Sequence, residues 1–195
     1  RTRMNDVHLP LTLLYAELIL DTEPEADELV TRVAAMLHDV GWSRVDEEKI
    51  LSEGFRSDNF MTSDIRVQHE IFGCDIAREI LPGCGFDDEF ITKVTDIIDG
   101  HDTRLTAISL NDSLVKDADK LWRITPHGID VAMPRFGLDR DESLRINAHR
   151  AYDDLFTPEG KAMSLALIAL ESMDLSPQMQ DMQERGRANV TTTQW

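Results

Sequence analysis

Apolar residues recur every three or four positions along most of the chain. Leu11, Leu14, Tyr15 and Leu18 form one such set, and Leu29, Val33, Met36 and Leu37 form another. Ile65, Phe72, Ile76 and Ile80 make a third, and Phe90, Val94, Ile97 and Ile98 a fourth. Residues at that spacing share one face of a helix, whereas a half-buried strand would alternate with a period of two. Strand-like alternation is absent, and so is a glycine-rich phosphate loop. The pattern predicts an all-α protein.

Breaks divide the sets. Asp21-Thr22-Glu23-Pro24 reads as a stop and restart, with Thr22 as a cap and Pro24 in the next first turn. Gly41 is expected to end the helix that carries His38. Asp46 to Leu51 reads as a short helix, and Gly54 to Ser63 as a polar loop. Ser63 or Asp64 caps the third set, Leu81 to Gly85 is a turn, and Asp87 caps a helix that stops at Gly100-His101. Leu110 to Trp122 is a further helix. Thr125 to Gly137, with Pro126, Gly128, Pro134 and Gly137, reads as an irregular lid or long loop. Helices are expected near Asp141 to Phe156 and Pro158 to Leu175. The expected organisation is one domain over residues 1–175, with a core over about 6–125 and C-terminal helices over 139–175. A polar tail or loosely docked helix would follow over 176–195.

Charge narrows the partners. The 195 residues carry a formal charge of -17. That excludes binding through a nucleic-acid backbone or an anionic membrane surface, since both require a positive face. A small phosphorylated substrate remains compatible, because a bound metal and a few Lys or Arg reverse the potential inside a pocket. No apolar run reaches the roughly 18 residues that span a bilayer. Cys74 and Cys84 form no disulfide framework and read as reduced thiols in or near the core. The default expectation is a cytoplasmic protein.

One doublet interrupts the apolar pattern. In Ala34-Ala35-Met36-Leu37-His38-Asp39-Val40-Gly41, a helix that should bury only apolar side chains closes on an imidazole and a carboxylate. Burying such groups without partners costs on the order of a lost hydrogen bond or more. A divalent metal satisfies both at once. Four of the six histidines, His8, His38, His69 and His101, fall where predicted helices begin or end. Pro10 puts His8 in a first turn if that helix is to tolerate it. An acidic pair follows in Lys116-Asp117-Ala118-Asp119-Lys120-Leu121-Trp122. Imidazole and carboxylate sets suit Mn, Fe, Co, Ni or Zn. The spacing rules out a zinc finger, so the ligands must converge between helices of a bundle. His127 and His149 read as surface residues.

The ordered set resembles the HD-domain superfamily of metal-dependent phosphohydrolases. That family has a first His, a His-Asp doublet closing a later helix, and a final Asp on a still later one. His8, His38-Asp39 and Asp119 look like those positions, in the contexts Leu37-His38-Asp39-Val40-Gly41 and Asp117-Ala118-Asp119-Lys120-Leu121. The resemblance makes Asp119 the ligand and turns Asp117 elsewhere. It also makes His69 and His101 similar to the residues that bind a second ion, with the doublet Asp bridging. Members with one ion keep histidines there too, so one or two ions are compatible. Trp42-Ser43-Arg44 stand where a Lys is common. No His-His-Glu followed by Gly-Tyr-Pro is present, which argues against the cyclic-dinucleotide branch.

The implied chemistry is hydrolysis of a small phosphate ester or nucleotide by metal-activated water. A cation beside the metal would stabilise charge on phosphorus, and Lys120 is the first candidate, Arg66 the second. Arg104 and Arg44 read as surface ion pairs. Asp102 or Glu70 would relay protons or orient a His. The substrate is expected to be nucleotide-like, and a homodimer is compatible with the sequence. An HD-type di-iron oxygenase and a non-catalytic ligand-binding protein are the alternatives.

Overall fold

The computed structural model describes residues 5–50 and 64–173, together with 177 and 181. The loop expected over 54–63 and nearly all of the tail expected over 176–195 lie outside the described residues. Every regular element among the described residues is helical, as the periodicity predicts. In order these are α1 (Asn5–Leu20), α2 (Glu28–Leu37), a 3-10 turn (Val40–Arg44), α3 (Glu47–Lys49), α4 (Asp64–Ile80), a second 3-10 turn (Pro82–Cys84), α5 (Asp88–Ile98), α6 (Leu110–Trp122), α7 (Pro126–Phe136), α8 (Arg140–Asp154) and α9 (Pro158–Met173). No helix among them is long and apolar enough to cross a membrane.

Side-chain caps fix most of the helix starts. Asp27, Asp87, Ser109 and Thr125 each accept a hydrogen bond from a first-turn amide. Asp139 and Glu142 form a reciprocal capping box at α8. Thr22 is not the cap expected of it. Its hydroxyl donates to Ile19 O at 2.8 Å and closes α1, and Asp27 starts α2 instead. Pro10 lies inside α1 rather than at its entry.

Two further expectations are corrected. Residues 126–136 form a helix, not an irregular lid. Pro126 occupies the first helical turn, where its missing N–H is no loss, and the Thr125 cap completes the start. Gly41 does not end α2, which stops at Leu37. It sits in the 3-10 turn against α4, where an added Cβ would fall 1.8 Å from His69 O and 2.5 Å from Gly73 N. Only glycine permits that approach.

α6 is the central helix. Val115 and Ala118 join a core with Ala16, Ala34, Ala35, Cys74, Ala77 and Ile98 from α1, α2, α4 and α5. Leu114 and Leu121 join another with Ile19, Ile124, Ile129, Leu144 and Leu155. The alanines let α1, α2, α4 and α6 approach closely, which brings polar groups on their facing sides within reach of one another. Cys74 is buried as expected, but Cys84 is exposed, because it lies in the Pro82–Cys84 turn between α4 and α5 rather than on a packed face.

Candidate metal centre

Six buried donors converge where α1, α2, α4, α5 and α6 meet. His8 projects from the first turns of α1, His38 and Asp39 follow α2, His69 comes from α4, His101 follows α5 and Asp119 comes from α6. All are at most 6% exposed. His8 Nε2 lies 3.0 Å from His38 Nε2, 3.1 Å from Asp39 Oδ2 and 3.4 Å from Asp119 Oδ1. His38 Nε2 lies 3.6 Å from Asp119 Oδ1. On the other side of the doublet, His69 Nε2 and His101 Nε2 each lie 3.5 Å from Asp39 Oδ1 and 3.3 Å from one another. Asp39 therefore offers one oxygen to each imidazole pair.

The hydrogen bonds behind the rings decide what the front can bind. His38 Nδ1 lies 2.8 Å from Ala35 O, and His101 Nδ1 lies 2.9 Å from Ile98 O. A carbonyl only accepts, so both Nδ1 atoms carry the hydrogen and each neutral ring presents a bare Nε2 lone pair. Those lone pairs face carboxylate oxygens. Acceptors meeting acceptors in a buried site repel unless a cation or proton lies between them. The donor set thus fits divalent metal ions, in two groups that share Asp39: His8, His38 and Asp39, and Asp39, His69 and His101. Asp119 completes the first group through Oδ1.

Protons respond to the same field. Burial acts to lower the His101 pKa, but the Asp39 hydrogen bond and the charges of Asp39, Asp102 and Glu70 outweigh it and raise it to about 9. For His8 burial prevails, and its pKa is lowered. Burial would raise Asp119, yet Arg123 and the two histidines hold it well below the usual carboxylate range.

A buried shell orients the donors. Trp42 donates its indole N–H to Asp39 Oδ1 at 2.9 Å and stacks on His69 at a centroid distance of 4.2 Å. The turn carrying His101 is clamped from both sides. Glu70 accepts from the backbone N–H of Asp102 and of Thr103, each at 2.9 Å, and from the Thr103 hydroxyl at 2.7 Å. Lys116, 1% exposed, donates Nζ hydrogens to the carbonyls of Gly100, His101 (3.0 Å) and Arg104 (2.9 Å). Carboxylate meets N–H groups and ammonium meets carbonyls, so each ionic side chain is matched to the backbone polarity it faces. Gly100, at φ 85°, makes the turn possible.

The other candidates fall around a cleft of about 570 Å³ that opens from the donors. Arg66 donates from Nε to Asp102 Oδ2 at 2.9 Å. Arg123 donates to Asp119 Oδ2 at 2.9 Å and to Asp102 Oδ1 at 3.4 Å. Burial would raise the Asp102 pKa, but Arg66 and Arg123 reverse that, and Asp102 stays ionised. That suits an anchor for two guanidinium groups better than a proton donor. Lys120 lines the cleft but turns away from the donors, with Nζ on the Asp154 carbonyl and over the Phe156 ring. Asp117 also turns away, accepting from Phe156 N, Thr157 N and the Thr157 hydroxyl. Arg104 reaches Asp112 and Arg44 reaches Glu79. His127 is half-buried in α7, not on a loop. His149 is exposed beside Asp153.

Sequence reasoning missed Arg123, Trp42 and Lys116 as contributors. Arg123 and Lys116 share a signal with Asp119, since positions 112, 116, 119 and 123 recur on one side of α6 and alternate in sign.

The HD domain family model matches residues 6–124. The chain belongs to the HD-domain family. The match covers every one of the six donors and ends just after Arg123, and HD domains are mostly metal-dependent hydrolases of the phosphohydrolase type. No curated protein and no solved structure matches this HD-domain chain. α7, α8 and the Leu155-Phe156 connection into α9, which wall the outer part of the cleft, lie beyond the matched residues.

Proposed function

We propose that this HD-domain protein is a metal-dependent phosphohydrolase acting on a small phosphate ester or nucleotide. The observation that carries the reading is the division of Asp39, one oxygen toward His8 and one toward His69 and His101, beside two arginines in a common cleft. Bound there, divalent ions would supply a water of lowered pKa and an electrophilic contact for a phosphoryl oxygen.

The chain's own residues do the rest. Arg66 and Arg123 bring positive charge to the inner cleft of an otherwise acidic protein and draw a phosphate there. Asp102 fixes both guanidinium groups, so their N–H groups are arranged before substrate arrives and need not reorganise as charge builds on phosphorus. Trp42 holds the shared Asp39 carboxylate, and the Glu70–Lys116 clamp holds His101.

The test is release of phosphate from a panel of phosphomonoesters and nucleotides, with Mn, Fe, Co, Ni or Zn added in turn. Turnover that His38→Ala abolishes supports the reading, and full activity in His38→Ala overturns it. A second reading rests on the same shared Asp39. Four imidazoles and two carboxylates also suit a pair of irons, and an HD-type di-iron oxygenase would take up oxygen without releasing phosphate.

A further inference from the structure

The cleft is bipolar. Its inner end carries the buried Asp39, His101, Asp119 and Arg66, with the partly exposed Asp102 and Arg123 beside them. Its outer end is walled by Val131, Ala132 and Phe136 of α7, by the buried Leu155 and the part-exposed Phe156 before α9, and by Leu105. α7 bears more apolar surface than its packing uses. Ile129 and Met133 turn into the core, while Val131 and Ala132, on the neighbouring face, turn to the cleft with Phe136 at its edge. Apolar side chains lining a concave site beside a charged floor are the mark of a pocket for a ligand with one charged and one apolar end.

The polar groups near that wall sharpen the ligand. Asp153 and Asp154 line the outer cleft and would repel a second phosphate. Lys120 at the same end is held by the Asp154 carbonyl. A group seated against Val131, Ala132, Phe136 and Leu155 meets no side-chain donor or acceptor, so a hydroxyl turned to that face would lose its water without replacement, while Asn147, Asp153 and Asp154 supply polar atoms to the same cleft. The volume of the cleft admits a phosphate plus a ring-sized group, since about 570 Å³ falls within the range of small-molecule sites.

We infer that the α7 wall is the subsite for the organic half of the substrate, and that the substrate is a phosphate monoester of an alcohol bearing a compact apolar ring. The inference rests on the phosphohydrolase reading for the phosphate end alone. In the reaction, the oxygen of water bonds to phosphorus, the bond from phosphorus to the alcohol oxygen breaks, and the alcohol takes up the proton that water gives up.

Binding of phosphonates tests the wall without needing turnover. The metal-loaded full chain is titrated calorimetrically with phenylphosphonate and with methylphosphonate, which share a head group and resist hydrolysis. The expected result is a Kd about tenfold or more lower for phenylphosphonate. Phe156→Ala and Val131→Asn should each shrink that preference severalfold while leaving the methylphosphonate Kd unchanged. Equal affinities in the unaltered protein overturn the inference and mean that something else covers the wall. Failure of both ligands to bind at millimolar concentration overturns it as well. A phenyl preference with no hydrolysis of phenyl phosphate sinks the phosphohydrolase reading and leaves the subsite standing. Hydrolysis without a phenyl preference does the reverse.

Discussion

Arg123 lies one helical turn beyond Asp119 on α6 and donates to Asp119 Oδ2 at 2.9 Å, while Asp119 Oδ1 faces His8 and His38. One carboxylate thus joins a guanidinium to the metal donors. Arg123→Met should leave metal binding largely intact and reduce kcat for phosphate release by about 10²–10³-fold, the loss typical of one preorganised charge donor. Arg123→Lys should recover part of it, because a point charge remains but the planar fork does not. Steady-state kinetics on metal-loaded protein reads both.

Removing single donors should split the centre in two. His69→Ala takes a nitrogen from the group around Asp39 Oδ1 and leaves His8, His38 and Asp119 in place. Metal content by plasma emission spectrometry should fall by half relative to the unaltered chain. Asp39→Ala strips an oxygen from both groups and should empty both. Unchanged stoichiometry in His69→Ala would contradict the bridging arrangement.

Lys116→Met should strike the clamp on the 100–104 turn. Three backbone carbonyls lose their donor in a buried place, at a cost of about 2–4 kcal/mol in unfolding free energy. A purely structural lysine would lower the denaturation midpoint and leave metal binding alone. The expected outcome is selective: ions held through His101 are lost before those held through His8 and His38.

The two cysteines should differ in reactivity. Cys74 is buried beside the Thr95 carbonyl, and burial raises its thiol to about 11. Cys84 is exposed. A disulfide reagent added to native protein at neutral pH should react rapidly with one thiol and reach the other only on unfolding. Cys84→Ser should abolish the rapid phase.

The Glu17–Arg32 pair carries a signed pH dependence. Arg32 donates from Nε to Glu17 Oε1 at 2.7 Å and lowers the Glu17 pKa. A carboxyl whose folded pKa is depressed adds stability above its unfolded value and loses it as pH falls through the folded one. The stability gap between the unaltered protein and Arg32→Met should therefore be constant above about pH 5 and close on further acidification. Urea denaturation at a series of pH values measures it, and high salt should shrink the gap throughout.

How much of this the sequence discloses depends on whether the signal is local. His38 and Asp39 are legible because two polar groups close an apolar helix, and Asp119 because its neighbours repeat a recognised context. The helix over Leu110–Trp122 is legible to the residue, and the structure starts it at the Ser109 cap. α7 is not, because two prolines and two glycines in thirteen positions read as a loop by composition. The decisive fact is the position of Pro126 just after a capping Thr, which a count of breakers ignores. Arg123 is hidden for another reason. Whether a charged residue at the end of a helix faces solvent or a cleft depends on the rotation of α6 against four neighbours. In the sequence Trp42 only marks a departure from a common Lys, and its stack on His69 appears when the 3-10 turn is laid against α4.

That contact also limits which parts of the molecule are free to change. Gly41 puts the backbone of the doublet turn against the backbone of α4 at His69, so the span from Asp39 to His69 is set by chain meeting chain. Repacking the core around it has little leverage on that spacing, because at Gly41 the two backbones meet directly. The outer wall of the cleft is the opposite case, built from side chains on α7 and on the connection into α9. The molecule therefore behaves as a rigid gauge fitted with an exchangeable jaw. Selection or engineering can reshape what the jaw grips while the gauge keeps the distance between its two marks.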